Sequence, residues 1–190
     1  PILSKIHQVQ YYEGAESQLL FNTKDQIYLI DHEGNDVSVF PLDLPSPASN
    51  GLCVIDFENN KDYQFFVGAE NGFVYGFRKA GEPVPGWNPK ENAGKLLHDL
   101  EHFQVSGNDF ILALNETGDF NVFKRNGEKY FETMASGTKY LSPPGFQVFE
   151  NNARIVLANH AGKANVFNQK GKHFNLYVGT GNDKNVRFLF

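Results

Sequence analysis

Cysteine, methionine and tryptophan are nearly absent from this chain, with one of each among 190 residues. A lone Cys53 excludes an intrachain disulfide and a cysteine-based zinc site. An unpaired thiol fits either a reducing compartment or a buried, inert cysteine in an exported protein. Long apolar runs are missing too. No window approaches the roughly 18 residues that a membrane helix needs, and no basic segment followed by an apolar one marks a signal peptide. Positive charge is sparse, with 17 Lys and Arg against 22 Asp and Glu, a net charge of −5. The longest basic run is the pair Lys124-Arg125, so the clustered basic footprint of a nucleic-acid binder is lacking. Neither nucleic acid nor membrane insertion is expected. The chain begins at Pro1 and its only methionine is Met134, so it reads as a processed or excised piece of a larger protein. The compartment stays open, with the cell envelope or periplasm favoured.

Aromatic and turn-forming residues are what the chain has in excess. It contains 18 Phe, 8 Tyr, 18 Gly and 20 Asn, a composition of strand formers and turns that argues against a helical bundle. The glycines follow a repeat. Four polar turns, Asp31-His32-Glu33-Gly34, Arg78-Lys79-Ala80-Gly81, Lys124-Arg125-Asn126-Gly127 and Asn168-Gln169-Lys170-Gly171, carry glycines 47, 46 and 44 residues apart. A second series, Asp25, Gly72, Gly118 and Gly162, has the same spacing and precedes the first by nine residues each time.

The segments between these turns read as strands. Leu29, Gly76, Val122 and Val166 are followed by Ile30, Phe77, Phe123 and Phe167 at matching positions, with Tyr28, Tyr75, Asn121 and Asn165 just before. Inner strands are expected at Ile6–Tyr12, Leu52–Glu58, Leu100–Val105 and Phe146–Glu150. Second strands are expected at Gln18–Asn22, Tyr63–Ala69, Phe110–Asn115 and Arg154–Asn159. Outer strands are expected at Val37–Leu42, Val84–Trp87, Lys129–Glu132 and His173–Val178. No stretch of useful length shows the helical 3.6-residue period. Four antiparallel strands every ~45 residues is the arithmetic of a β-propeller blade. The expected fold is therefore an all-β propeller domain or fragment, residues 1–190, with blades near 1–44, 45–90, 91–135 and 136–180. Residues 181–190, through Val186-Arg187-Phe188-Leu189-Phe190, would supply the inner strand of a fifth blade. A cut through a larger ring and a self-closing four-bladed ring both remain open.

Phe73-Val74-Tyr75-Gly76-Phe77-Arg78-Lys79-Ala80-Gly81, followed by Trp87, resembles the repeat of the quinoprotein-like and WD-repeat-like propeller superfamily. Pro45 to Gly51, Asp56 to Tyr63 and Pro85-Gly86-Trp87 are similar to the C-terminal propeller region of large, uncharacterised bacterial proteins. The resemblance covers essentially the whole chain and implies fold rather than activity. Tryptophan occurs in one unit only, six residues after the glycine instead of about four; Tyr130, Phe131 and Phe174 occupy comparable regions elsewhere. Trp-Asp and Gly-His pairs of the WD type are absent, so no cofactor site carries over.

No constellation in the sequence specifies catalysis. His98-Asp99-Leu100-Glu101-His102 would place two histidines on one face of an inner strand, but metal binding needs a third ligand, and a polar inner strand beside solvent accounts for it. Asp31–Asp36 lacks the alternating oxygen ligands and downstream Glu of a calcium loop, and Gly179-Thr180-Gly181-Asn182-Asp183 opens no helix to cradle phosphate. Cys53 lies in an apolar strand. Ser46, Ser49, Ser136 and Ser142 fall in connectors without a nucleophile elbow, and Asp109 and Asp119 fall in turns. Asn115-Glu116-Thr117 fits the glycosylation pattern. The connectors Pro41–Asn50, Gly86–Gly94 and Ala135–Gly145 carry Pro47, Pro89, Pro143 and Pro144 as stiffeners, plus Trp87 and Tyr140. They would share one face, the expected binding face. No catalytic, cofactor-binding or metal residue and no cofactor is expected. The function expected is a non-catalytic module that recognises a protein, peptide or glycan through the connector face. Self-association through open propeller edges is also allowed. The alternative is a fragment of a propeller enzyme, a quinoprotein-like oxidoreductase or hydrolase, whose active site is incomplete here.

Overall fold

Short runs of alternating or continuous apolar residues, broken by Gly, Asn and Asp, fold as sixteen strands in a computed structural model. It describes residues 1–177 apart from 13, 15, 93, 97, 134–139, 141 and 160–162. The first sheet comprises β1 (His7–Val9), β2 (Gln18–Asn22), β3 (Gln26–Ile30) and β4 (Leu42–Asp43). The second comprises β5 (Cys53–Ile55), β6 (Gln64–Gly68), β7 (Phe73–Arg78) and β8 (Lys90–Glu91). The third comprises β9 (Glu101–Val105), β10 (Asn108–Leu114), β11 (Phe120–Lys124) and β12 (Lys129–Thr133). The fourth comprises β13 (Gly145–Phe149), β14 (Asn152–Ala158), β15 (Lys163–Asn168) and β16 (His173–Tyr177). Each sheet is antiparallel and keeps chain order. No helix occurs among the described residues.

The chain divides into two compact units, Pro1–Leu100 with the first two sheets and Glu101–Phe190 with the other two. Within the first unit, Leu20, Ile27 and Leu29 of the first sheet pack against Phe65, Val67, Tyr75 and Phe77 of the second. Within the second unit, Leu112, Leu114, Phe120 and Val122 pack against Ile155, Leu157 and Phe167 in the same way. A four-stranded sheet exposes two faces and needs a neighbour on each to bury them. The wide phenyl rings fill the space between sheets, as where Phe120 meets Phe167 edge-on at 4.9 Å.

The repeat glycines earn their spacing through backbone geometry. Gly34, Gly81, Gly127 and Gly171 have φ of 86°, 91°, 80° and 78°, in the left-handed region that glycine enters without a Cβ penalty. Each closes the same turn, in which the glycine N–H bonds back three residues, to Asp31, Arg78, Lys124 and Asn168. Gly72 and Gly118 do likewise after β6 and β10. Asp25 does not belong to that class. The first sheet turns there in a tighter link, closed by Thr23 N–H to the Gln26 carbonyl at 2.8 Å, and needs no glycine. Gly162 lies outside the described residues.

The second strands fall close to where the sequence predicts them, and so do the outer strands of the third and fourth sheets. In the first two sheets the outer strand comes later than expected, at Leu42–Asp43 and Lys90–Glu91 rather than Val37–Leu42 and Val84–Trp87. Val37 and Val84 bond back to the Leu29 and Gly76 carbonyls, and then Phe40 and Trp87 bond to Val37 and Val84 in a tight turn. That turn drives both aromatics inward, so their apolar character reflects burial rather than strand pairing. The inner strands of the first unit are also shorter than expected. Residues 56–62 leave the sheet because the Asp56 carboxylate caps the Asn60 and Lys61 N–H groups, at 3.0 and 2.8 Å. The expected fifth inner strand, 186–190, lies outside the described residues.

Candidate functional site

The segment His98–His102 does not act as a unit. His98 and Asp99 precede β9, whereas Glu101 and His102 lie on it. His102 Nε2 is 2.8 Å from Asp109 Oδ1 on the neighbouring strand, so the aspartate expected in a turn serves as a strand-to-strand partner. His98 instead belongs to a belt at the starts of the inner strands of the first unit. Asn22 Nδ2 donates to the Asn50 carbonyl at 3.1 Å, and its Oδ1 accepts from Leu52 N–H at 3.1 Å. Asn50, just before β5, carries the belt on: its Nδ2 donates to the His98 carbonyl at 2.9 Å, while its Oδ1 accepts from Gly68 N–H of its own sheet at 2.8 Å. Asp99 accepts from Gly51 N–H at 2.6 Å. Both asparagines are buried, and a buried amide with every group paired fixes the register between sheets. Burial holds the imidazoles of His7 and His98 below the ordinary histidine range, helped at His7 by Lys5. His98 Nε2 is buried without a hydrogen-bond partner among the described residues.

The other expected positions resolve into structural roles. Asp31 accepts from the Glu33 and Asn35 N–H groups, both at 2.9 Å, and these bonds, Asn35 foremost, hold its carboxyl below the usual range. It closes a turn. Asn115 of the glycosylation pattern is 1% exposed, and its Oδ1 accepts from Thr117 N–H, Thr117 Oγ1 and Asp119 N–H. The folded chain offers that amide to no modifying enzyme. Cys53 is buried on β5 opposite Phe66. Ser46 and Ser142 are half-buried, and Ser49 Oγ is buried without a hydrogen-bond partner among the described residues. Gly179 to Asp183 and Ser136 lie outside the described residues. No group of three His, Cys, Asp or Glu able to hold a metal occurs among the described residues.

The connector aromatics are not available to a partner. Trp87 is fully buried, its ring 4.8 Å from that of Phe66. Tyr140 is buried and accepts from Asn165 Nδ2 at 2.7 Å, while burial pushes its phenol above the ordinary tyrosine value. In the first unit the connector end is instead polar and tied down. Ala48 N–H and Glu70 N–H bond to the Lys24 and Pro47 carbonyls, and Glu70 pairs with Lys24 at 3.1 Å and Lys95 at 3.8 Å.

Exposed aromatic surface lies at the opposite end of the same sheets, where β1 turns into β2 and β3 leads towards β4. Tyr12 and Val39 are 50% and 53% exposed. Tyr11 sits between them, its ring edge-on to Tyr12 at 4.9 Å and to Phe40 at 6.5 Å. Its hydroxyl donates to Ser38 Oγ at 3.1 Å, and Lys79 Nζ stands 5.0 Å from the centre of its ring. Ser38 has a φ of 57°, a conformation that a residue with a side chain adopts only when its surroundings enforce it. That backbone presents Val39 outward over Gly81, where an added Cβ would come within 3.2 Å of the valine methyl. The tyrosine pair is the interface-like part of this surface, since aromatic side chains are enriched where proteins meet. In the sequence Tyr11 and Tyr12 fall in the expected inner strand Ile6–Tyr12, and Ser38 and Val39 in the expected outer strand Val37–Leu42; the signal that could have found them is the Val37-Ser38-Val39-Phe40 run that begins three residues after the turn glycine Gly34.

No family model and no curated protein matches the chain. Solved structures do. BBS1N in complex with ARL6DN, in a lead-soaked crystal, superposes with a TM-score of 0.64 at 13% identity over 95% of this chain and 55% of that one. The mercury-soaked crystal gives 0.65 at 12% identity, covering 96% and 55%. BamB from Moraxella catarrhalis gives 0.57 at 18% identity, covering 85% and 45%. The chain thus spans about half the length of these solved chains. All are β-propellers, and with four four-stranded antiparallel sheets and no helix among the described residues, this chain has a β-propeller fold.

Proposed function

We propose that this chain is a non-catalytic protein-binding propeller module whose recognition surface is the turn end of the first unit, around Tyr12, Val39, Tyr11 and Lys79. The observation that carries the reading is the exposure of Tyr12 and Val39 on a backbone held in a costly conformation at Ser38. Tyrosine is among the side chains that supply most of the binding energy at protein interfaces. The solved structure of BBS1N with ARL6DN, a propeller of similar fold in a complex, supports a protein as the partner class. Asn and Lys side chains with little exposed aromatic surface make the connector end of this unit the natural control.

The test is capture of binding proteins from an extract of the source organism by the immobilised chain. Tyr12→Asp and Val39→Asp should abolish retention of a specific partner with thermal unfolding unchanged, whereas Lys95→Glu at the connector end should leave it intact. Equal retention by all three variants would overturn the assignment of this surface.

A further inference from the structure

Strand pairing assigns each sheet two faces. In the first sheet one face carries the cross-strand pairs Leu19–Ile30 and Phe21–Tyr28, and the other carries Leu20–Leu29 and Asn22–Ile27. The pairs equivalent to Leu19–Ile30 are Phe65–Phe77, Ile111–Phe123 and Ile155–Phe167 in the following sheets. All six of those side chains are buried. In the first sheet alone this face is open: Leu19 is 37% exposed, and Phe21, Tyr28 and Ile30 are half-buried. Phe21 and Tyr28 nevertheless stack at 5.4 Å with planes 10° apart, a flat apolar surface already in order.

The fourth sheet has the complementary vacancy on its other face. Its pair Val156–Val166 matches Leu20–Leu29, Phe66–Gly76 and Leu112–Val122. Those residues are buried in the first three sheets, but Val156 and Val166 are half-buried. On the same face Phe149 is 40% exposed and Arg154 is exposed, with the guanidinium 5.3 Å from the centre of the phenyl ring. Phe149, Arg154 and Asn168 border a recess of about 410 Å³.

We propose that the open face of the first sheet docks on the open face of the fourth sheet of a second copy of this chain, head to tail. The kind of surface that fits each face is set by the repeat itself. Inside each unit, a face of the first kind is covered by a face of the second kind from the preceding sheet. Among the described residues, the first sheet leaves a face of the first kind open and the fourth sheet one of the second kind. Leu19–Ile30 lies at the turn end of its sheet, as Arg154 and Asn168 do of theirs, so an aliphatic pair meets the recess beside Phe149. The contact is heterologous, using different surfaces on the two partners, and so differs from the self-complementary contact of an ordinary two-fold dimer.

Sedimentation velocity of the intact chain over a wide concentration range tests this. A reversible shift to a species of twice the mass is expected, with growth beyond it at higher concentration, because each head-to-tail dimer keeps one open face of each kind. Leu19→Lys blocks one face and Val156→Lys the other; Phe149→Lys, at an exposed position, replaces the latter if circular dichroism shows that Val156→Lys has lost its fold. Each variant alone should stay monomeric where the parent is dimeric. An equimolar mixture of the two should associate again, because one unmodified pair of faces survives. A parent monomeric at every concentration, variants that associate like the parent, or a mixture that stays monomeric would each overturn the proposal; the first would leave these faces to a different partner.

Discussion

Gly76 stands where the other repeats have Leu29, Val122 and Val166, and the reason is its neighbour. Its φ is not in the left-handed region, but an added Cβ would lie 2.9 Å from Phe66 and 3.0 Å from the Trp87 Cβ. The second sheet thus exchanges a small strand residue for a large one in the following turn, whereas the first pairs Leu29 with Phe40. Gly76→Ala should cost about 1–3 kcal/mol by overpacking, and Trp87→Ala about 3–5 kcal/mol by leaving a cavity. Gly76→Leu combined with Trp87→Phe should be milder than the sum of the single changes, read by denaturant unfolding of all three. Histidine supplies a second residue-level expectation. Burial depresses His98, and His7 in the same direction, so the folded chain binds fewer protons than the unfolded one between the depressed values and the ordinary ~6.5. Their contribution is complete above pH ~6.5 and is lost as the pH falls through the depressed values. The midpoint of thermal unfolding should therefore decline more steeply below that pH in the parent than in a His7→Gln, His98→Gln variant. Parallel profiles would refute it.

Individual elements show what was readable from sequence and what was not. Spacing located the hairpins because a left-handed residue at a fixed place in a turn is a local demand that selects glycine. The outer strands of the first two sheets escaped because Val37, Phe40, Val84 and Trp87 look like strand residues whether they pair or plug a turn. Only the hydrogen bonds back to Leu29 and Gly76 distinguish the two. Asn22 and Asn50 escaped for the opposite reason: asparagine next to a turn reads as turn chemistry, but the Asn22 amide joins the first sheet to the second and the Asn50 amide ties the second sheet to residue 98. Asn50→Ala would strand the His98 carbonyl and the Gly68 N–H, a loss of about 2–4 kcal/mol if each buried group costs ~1–2. Asn50→Asp keeps the acceptor for Gly68 but sets a carboxylate oxygen against the His98 carbonyl, and it should recover little of that loss. Chemical denaturation of both variants checks the point, and a near-neutral Asn50→Ala would refute it.

At the level of the whole molecule, the fold was legible and the proposed recognition surface was not. Connectors drew attention through Pro47, Trp87 and Tyr140, but length and aromatic content do not say which way a ring points. Trp87 and Tyr140 point inward. The surface around Tyr12 and Val39 depends on contacts between residues far apart in sequence, Tyr11 with Ser38 and with Lys79, which no local pattern encodes. Lys79→Ala should weaken partner capture modestly through loss of the cation over the Tyr11 ring, worth ~0.5–1 kcal/mol when exposed. That is several-fold in affinity by titration calorimetry, with unfolding unchanged. An undiminished affinity would confine the recognition surface to Tyr12 and Val39.

The asparagine belt also bears on the order in which the chain can fold. Its amides donate forward, from Asn22 to Asn50 and from Asn50 to His98, across 28 and 48 residues. During synthesis the first sheet can close its own hairpins early, but the Asn50 amide finds its acceptor only once residue 98 has left the ribosome. Such distant pairings are slow to form, because a long loop must close before any contact compensates for it. Sheets of the first unit should therefore lock together late and jointly. Amide protons at Leu52 and Gly68, which the two asparagine side chains accept, should then exchange with solvent at a common rate.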